Sequence, residues 1–366
     1  MKLKLAPHCL PGGEEDSRAW LPLKPSVAKF VYTYEPANSA PPEVLCVGKP
    51  DEAFLEHHPV LSDDPVALAQ QYAAIVFAPL VKQWPRIDAW EGPNEVGIAP
   101  NEIDRMKWYV AFLAEFARQM QALGKRAVIG AWAVGTPEFS LWQYYGPVLQ
   151  ACRDYNAILS RHSYGPLNQW YSFRHRLDEV EFQKLGFSNT PLIISECGAD
   201  GLGQPGWNKW RRMFGGDIAG YWNGYLQPFI KEIEKDPYVL GAALFTVGTG
   251  FASAWQDFDV AGVGLIPYLA NYAQTLPPDA PPVVTDGNPP TEVLPSDLYR
   301  VKAQQLQARL FPWTGEAEPP VTRQLAPGEQ VNVYGIYKPQ GMTYGWGAIA
   351  PDSNQWVNMM YLERVA

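Results

Sequence analysis

Eight short apolar runs, each followed by a longer amphipathic stretch, constrain this chain more than any other feature. The runs are Leu3–His8, Lys29–Tyr34, Val44–Val47, Ile87–Trp90, Ala127–Trp132, Ala157–His162, Leu192–Ser195 and Leu240–Thr246. Strand-length runs alternating with helix-length ones predict βα units and a parallel sheet, an α/β fold. Eight such units favour closure into a (β/α)8 TIM barrel of roughly 250–300 residues. An open doubly wound sheet competes. It calls for a G-x-G-x-x-G turn after the first strand, which Gly12-Gly13 does not match.

Helix signals fall between the runs. Asp64 is placed to cap a helix with Pro65 at its first position. Asn101 is placed to cap the next, with Gly124 where a left-handed stop belongs. Ile103, Met106, Val110, Leu113, Ala117 and Met120 recur at spacings of three and four, so that helix buries one face. A further helix is expected over about 217–235. Beyond the eighth run, Pro pairs at 277–278, 281–282 and 289–290 mark an excursion over about 274–295 that suits neither helix nor central strand. Ser296 or Asp297 then opens an expected last barrel helix through about Arg309. The expected catalytic domain is 1–311, followed by a linker at 312–322 and a small β-barrel at 323–366.

Composition narrows the partners. A net charge of −9 in 366 residues disfavours a nucleic-acid backbone, and no run of basic residues suggests an anionic membrane surface. No segment has the 18 or more apolar residues needed to span a bilayer. The N-terminus lacks the apolar core of a signal peptide, which leaves the compartment open. Cys9, Cys46, Cys152 and Cys197 follow no metal spacing and read as reduced, buried thiols. His57-His58 near Asp63-Asp64 lacks ligand spacing on one face, so neither a metal nor another cofactor is expected.

Two glutamates carry the chemistry. Glu95 ends Trp90-Glu91-Gly92-Pro93-Asn94-Glu95 after the fourth run, and Glu196 lies in Ser195-Glu196-Cys197-Gly198 after the seventh. In a parallel barrel both would face the C-terminal mouth, where the βα loops converge. Two carboxyls so placed suit hydrolysis of a glycosidic bond: one protonates the leaving oxygen while the other attacks carbon or activates water. Asn94 can exchange hydrogen bonds with a sugar hydroxyl. His162 and Tyr164, after the sixth run, would lie beside Glu196, with Tyr164 donating to its carboxylate. Trp132, Trp207, Trp210, Trp255 and Tyr34 are candidate platforms for sugar faces, whereas Trp142 and Trp222 fall in helical stretches and read as core.

These motifs resemble glycoside hydrolase clan A, retaining enzymes on a TIM barrel. The resemblance covers about residues 1–311. It implies Glu95 as acid/base, Glu196 as nucleophile, Asn94 as partner of the 2-hydroxyl, and an oligo- or polysaccharide substrate with β-linkages. It also implies a raised pKa for Glu95 and carboxyls about 5–5.5 Å apart. One departure is visible: the clan often places Trp just after strand eight, where this chain reads Leu244-Phe245-Thr246-Val247, leaving Trp255 as a substitute. The tail resembles bacterial SH3-like domains in Gln330-Val331-Asn332-Val333-Tyr334 and Tyr344-Gly345-Trp346-Gly347-Ala348-Ile349, with Gln355-Trp356-Val357 and Tyr361-Leu362. Such modules imply contact with a cell wall or other glycan. Rival readings are a carbohydrate- or cell-wall-binding protein on a non-catalytic barrel, a peptidoglycan lysin, and a barrel aldolase or metal hydrolase. The last lacks a Lys or His cluster at a strand end.

Overall fold

The computed structural model describes residues 2–50, 64–167, 170–200, 206–207, 216–250, 255–277, 297–302, 306–309, 321–333, 335–337, 346–348, 356–358 and 362–364. The chain divides into two units. The first comprises Met1–Leu167 and Tyr171–Val283, and the second comprises Asn168–Trp170 and Val284–Ala366.

The first unit is a closed barrel of eight parallel strands in sequence order. They are β1 (Leu5–Cys9), β2 (Val27–Val31), β3 (Leu45–Lys49), β4 (Ala89–Glu91), β5 (Arg126–Trp132), β6 (Ile158–Tyr164), β7 (Leu192–Gly198) and β8 (Val239–Val247). Each expected run supplies one of them. Inside, Ala6, Val27, Val47, Ala89, Val128, Ile158 and Ile193 pack together with Leu240, one residue from each strand. Side chains two positions on share a strand face. The corresponding residues are His8, Lys29, Lys49, Glu91, Gly130, Ser160, Ser195 and Ala242. The interior thus turns from wholly apolar to largely polar on approaching the mouth.

Helices wrap the outside. Asp64 caps Pro65–Tyr72, its carboxylate accepting from the Val66 and Ala67 amides at 2.8 and 3.2 Å. Helix Ile103–Ala122 buries Met106, Tyr109, Leu113, Phe116 and Met120. Its cap falls on Glu102 instead of Asn101, and Gly124 takes the expected left-handed conformation at φ +73°. Two π-helical turns, Ala73–Phe77 and Trp222–Leu226, precede Pro79 and Pro228. A proline without an N–H cannot continue the i→i−4 ladder, so the chain widens there by one residue.

The region after β8 differs from expectation. The last described helix of the barrel is Ile266–Thr275, with Pro267 in its first turn. Where a helix is expected from 297 to 309, the described residues form strands, Asp297–Val301 and Leu306–Arg309. Asp297–Val301 pairs antiparallel with Gln330–Val333 and Leu362–Arg364 in one three-stranded sheet. Leu306–Arg309 joins a five-stranded sheet with Val321–Leu325, Gly335–Tyr337, Trp346–Ala348 and Trp356–Asn358. Tyr299 and Val301 favour a pleated strand, and partner strands outweigh a short helical spacing. Most of the proline excursion, from residue 278, lies outside the described residues.

Candidate active site

Glu95 reaches the mouth through a loop held against β5. The Gly92 and Glu95 amides donate to Val128 and Ala131 carbonyls, both at 2.9 Å. Glu95 itself adopts φ +46°, a left-handed conformation uncommon for a residue with a side chain and often found at functional sites. Its carboxylate is half-exposed. Glu196 lies on β7 in register with His162 of β6. Tyr164 donates its hydroxyl to Glu196 Oε2 at 2.9 Å. His162 Nδ1 stands 2.6 Å from Glu95 Oε1 and 3.4 Å from Glu196 Oε2. One oxygen of each carboxylate and a ring nitrogen of His162 all lie within 4.8 Å of one another. Asn94 Oδ1 and His162 Nε2 are buried with no hydrogen-bond partner among the described residues.

Beneath this trio lies the polar layer of the barrel. Lys29 Nζ contacts Glu91 Oε2 at 2.6 Å and Glu196 Oε1 at 3.5 Å. Lys49 Nζ is 3.9 Å from Glu91 Oε2 and donates to the Gly92 carbonyl at 3.1 Å. Ser160 Oγ donates to Glu91 Oε1 at 2.7 Å and lies 2.6 Å from Ser195 Oγ. His8 Nδ1 is 3.3 Å from the Ser195 carbonyl. Burial alone would raise the Glu91 carboxyl, but Lys29 and Lys49 hold it well below the usual range. Burial likewise acts to raise Glu196, and the interactions with His162 and then Lys29 bring it down to about 2. Burial and the adjacent Glu196 push the Tyr164 phenol well above its ordinary value, so it stays a donor. His8 is driven down to about 3 by burial, then by Lys29, and is neutral at pH 7. Reading along single runs missed Lys29, Lys49 and Glu91. Aligning the strands on their inward apolar residues shows a polar residue two positions on in six of eight.

The expected platforms separate by burial. Trp132 is buried, donates to Tyr145 at 3.2 Å and packs edge-on against Tyr109 and Trp142, so it is core. Trp207 is buried against Tyr221 with its indole N–H on the Asp259 carbonyl. Tyr34 is buried against Trp84 and Trp90 and donates to the Lys49 carbonyl at 2.8 Å. A large ring that follows a strand is drawn under the surrounding helices as readily as into the mouth. Trp210 lies outside the described residues. Trp255 is 40% exposed and stands edge-on to Phe245 at 5.2 Å, in a cluster that reaches Phe258 and Tyr164. Tyr32, overlooked in the sequence, is exposed after β2 at φ +61°. Trp142 and Trp222 are core, as expected.

Two carboxylates and an imidazole could hold a divalent ion. A metal would first have to break the direct 2.6 Å contact between His162 and Glu95. The four cysteines are buried free thiols, three of them raised to about 12 by burial, so they offer no ready thiolate. No described helix is long and apolar enough to cross a membrane.

No protein-family model matches this chain, and no curated protein does. Among solved structures, it is similar to a family 39 glycoside hydrolase from the gut symbiont Bacteroides cellulosilyticus WH2. That match has 13% identity and a TM-score of 0.47, covering 75% of this chain and 64% of that one. It is similar to the hyperthermostable endo-1,4-β-D-mannanase of Thermotoga petrophila RKU-1 at 12% identity and a TM-score of 0.45, covering 72% and 94%. It is also similar to an endo-β-1,3-glucanase from Amycolatopsis mediterranei at 12% identity and a TM-score of 0.38, covering 74% and 99%.

Proposed function

We propose that the barrel is a retaining glycoside hydrolase acting on β-linkages of an oligo- or polysaccharide. The observation that carries this reading is the approach of Glu95 and Glu196 at one mouth, with oxygens within 4.8 Å. Such a gap suits direct attack on carbon, for which carboxyls stand about 5–5.5 Å apart. An inverting pair needs about 6.5–9.5 Å to admit water between carboxylate and sugar. Glu196, kept ionised and accepting from Tyr164, attacks the anomeric carbon as the glycosidic C–O bond breaks. Glu95, as the acid, gives a proton to the departing oxygen. In the second step Glu95 takes a proton from water, whose oxygen bonds to the anomeric carbon as the ester to Glu196 breaks. His162, in contact with both carboxyls, orients them. Asn94 is the reading's partner for the 2-hydroxyl.

The strands of the second unit are compatible with an SH3-like module that contacts cell-wall or other glycan, which belongs to the same proposal. Hydrolysis of a panel of β-glycans, peptidoglycan and aryl β-glycosides tests the whole reading. Glu196→Gln and Glu95→Gln should each lower turnover of the natural glycan by at least about 10³-fold. Turnover that survives in Glu196→Gln removes the mechanism. A wild-type protein that binds a panel glycan without cleaving it favours the binding-protein reading.

A further inference from the structure

We propose that Lys29 and Glu91 are positioning residues for Glu196: Glu91 anchors the Lys29 ammonium in the barrel, and that ammonium fixes the charge and aim of the carboxylate above it. The inference rests on reading Glu196 as the nucleophile and goes beyond it by assigning the support beneath. Lys29 is 1% exposed and Glu91 is 0% exposed, so water cannot supply either counter-charge. The Lys29 Nζ contacts are unequal, 2.6 Å to Glu91 and 3.5 Å to Glu196. Glu91 is itself fixed by Ser160 at 2.7 Å and approached by Lys49 at 3.9 Å. The ammonium is therefore held mainly by Glu91 and lent to Glu196. A full ion pair with Glu196 would make the nucleophile sluggish, and no cation would let the buried carboxyl protonate. Lys49 also holds the Gly92 carbonyl, so the same cluster supports the loop that carries Glu95.

Other ionisable groups face Glu196 from every side of the site. They are His8 on β1, Glu95 in the loop after β4, His162 and Tyr164 on β6, and Cys197 on its own strand. Lys29 is the ammonium in contact with Glu196 among the described residues, so removing it must change how Glu196 titrates.

The test is nuclear magnetic resonance on the full chain with glutamate labelled with carbon-13 at its side-chain carboxyl. The Glu196 signal is assigned by its loss in Glu196→Gln. In the wild type it should stay flat between about pH 4 and about pH 8, the range in which an ordinary carboxyl titrates at its lower end. Lys29→Met should bring a titration into that window, and Lys29→Arg should keep the signal flat. Lys29→Met leaves Glu91 buried without its closest counter-ion, so Lys29→Met/Glu91→Gln is the variant that keeps the charge balance and the fold. It too should titrate in the window, at lower pH than Lys29→Met. On a cleaved glycan, Lys29→Met should lower kcat by about 10²-fold with KM unchanged, and Lys29→Arg should recover most of it. A flat signal in the folded Lys29 variants overturns the inference, even where hydrolysis falls. Wild-type silence on every glycan with a moved titration sinks the glycosidase reading and leaves the electrostatic role of Lys29 intact.

Discussion

Strand β6 feeds two buried charge clusters from adjacent residues, and they are built to different ends. Ser160 and His162 point into the barrel and join the cluster of Lys29, Lys49, Glu91 and Glu196. Arg161, between them, faces the outer layer and pairs with Asp178 at 2.5 Å. There Asp178 also receives Arg174 at 3.3 Å and the Trp142 indole at 3.1 Å. Arg161 Nη2 donates to the Thr136 carbonyl and Arg174 to the carbonyls of Gly135 and Pro137, while Arg161 Nη1 has no partner among the described residues. The outer cluster ends on backbone that cannot change partners. The inner one ends on Glu95 and Glu196, whose free valences face the mouth. A cluster that ends on buried backbone carbonyls is structural in kind, and one that ends on carboxylates at the mouth is placed to meet a substrate.

The largest expected effect breaks that contrast directly. Asp178→Asn leaves Arg161 and Arg174 without their buried counter-charge and should cost about 3–5 kcal/mol of stability. Activity per folded molecule should hold within about twofold, since Asp178 touches neither Glu95 nor Glu196. Urea unfolding together with kcat on a cleaved glycan reads both. A kcat that falls with stability intact would show that the two clusters are coupled through β6.

Acid should attack the inner cluster first at His8. Its folded pKa lies near 3 against an unfolded value of about 6.5, so between those values the unfolded chain binds the extra proton. Stability from the neutral, buried ring is therefore present above about pH 6.5 and lost progressively as pH falls toward 3. Between pH 7 and pH 5 the loss should be about 2 kcal/mol. Buried His175, also lowered by desolvation, adds in the same direction. Glu91 and Glu196 have depressed pKa values, so their contribution holds above about 4.5 and fades only below it. His8→Gln keeps a donor near the Ser195 carbonyl and should flatten the pH 7 to 5 segment of the urea-unfolding curve. An unchanged slope would place the proton uptake elsewhere.

The eight strands were legible because each is a short apolar run bounded by turns, and closure followed from their number. Glu95, Glu196 and Tyr164 were legible as polar residues stationed just past such runs. Lys29 and Glu91 were harder to find. Lys29 interrupts Val27-Ala28-Lys29-Phe30-Val31 and looks like a strand edge, and Glu91 opens what reads as a loop. Their meaning appears only when neighbouring strands are set in register, which no single run encodes. Trp132, Trp207 and Tyr34 turned out buried for a different reason. Aromatic identity does not reveal which side of a barrel wall a ring occupies, so Trp132 and Tyr34 look as available as Trp255. The helix expected from 297 failed because Asp297–Val301 pairs with partners at 330–333 and 362–364, and Leu306–Arg309 with 321–325 and Trp356, beyond any local window.

The smallest effects separate the rings that sequence could not. Trp255→Ala removes the exposed ring beside Phe245 and should raise KM by about 10-fold, worth about 1.4 kcal/mol, with kcat little changed. Ground-state contact made equally in the transition state behaves in that way. Tyr34→Phe removes the hydroxyl that donates to the Lys49 carbonyl and should cost about 1 kcal/mol of stability without moving KM. If Tyr34→Phe shifts KM while Trp255→Ala does not, substrate reaches the β2–β3 side of the mouth instead of the β8 side. Tyr32→Ala then becomes decisive, because Tyr32 is an exposed ring just after β2. A KM raised about 10-fold there and nowhere else would move the sugar platform from β8 to β2, while the Glu95–Glu196 pair kept its place.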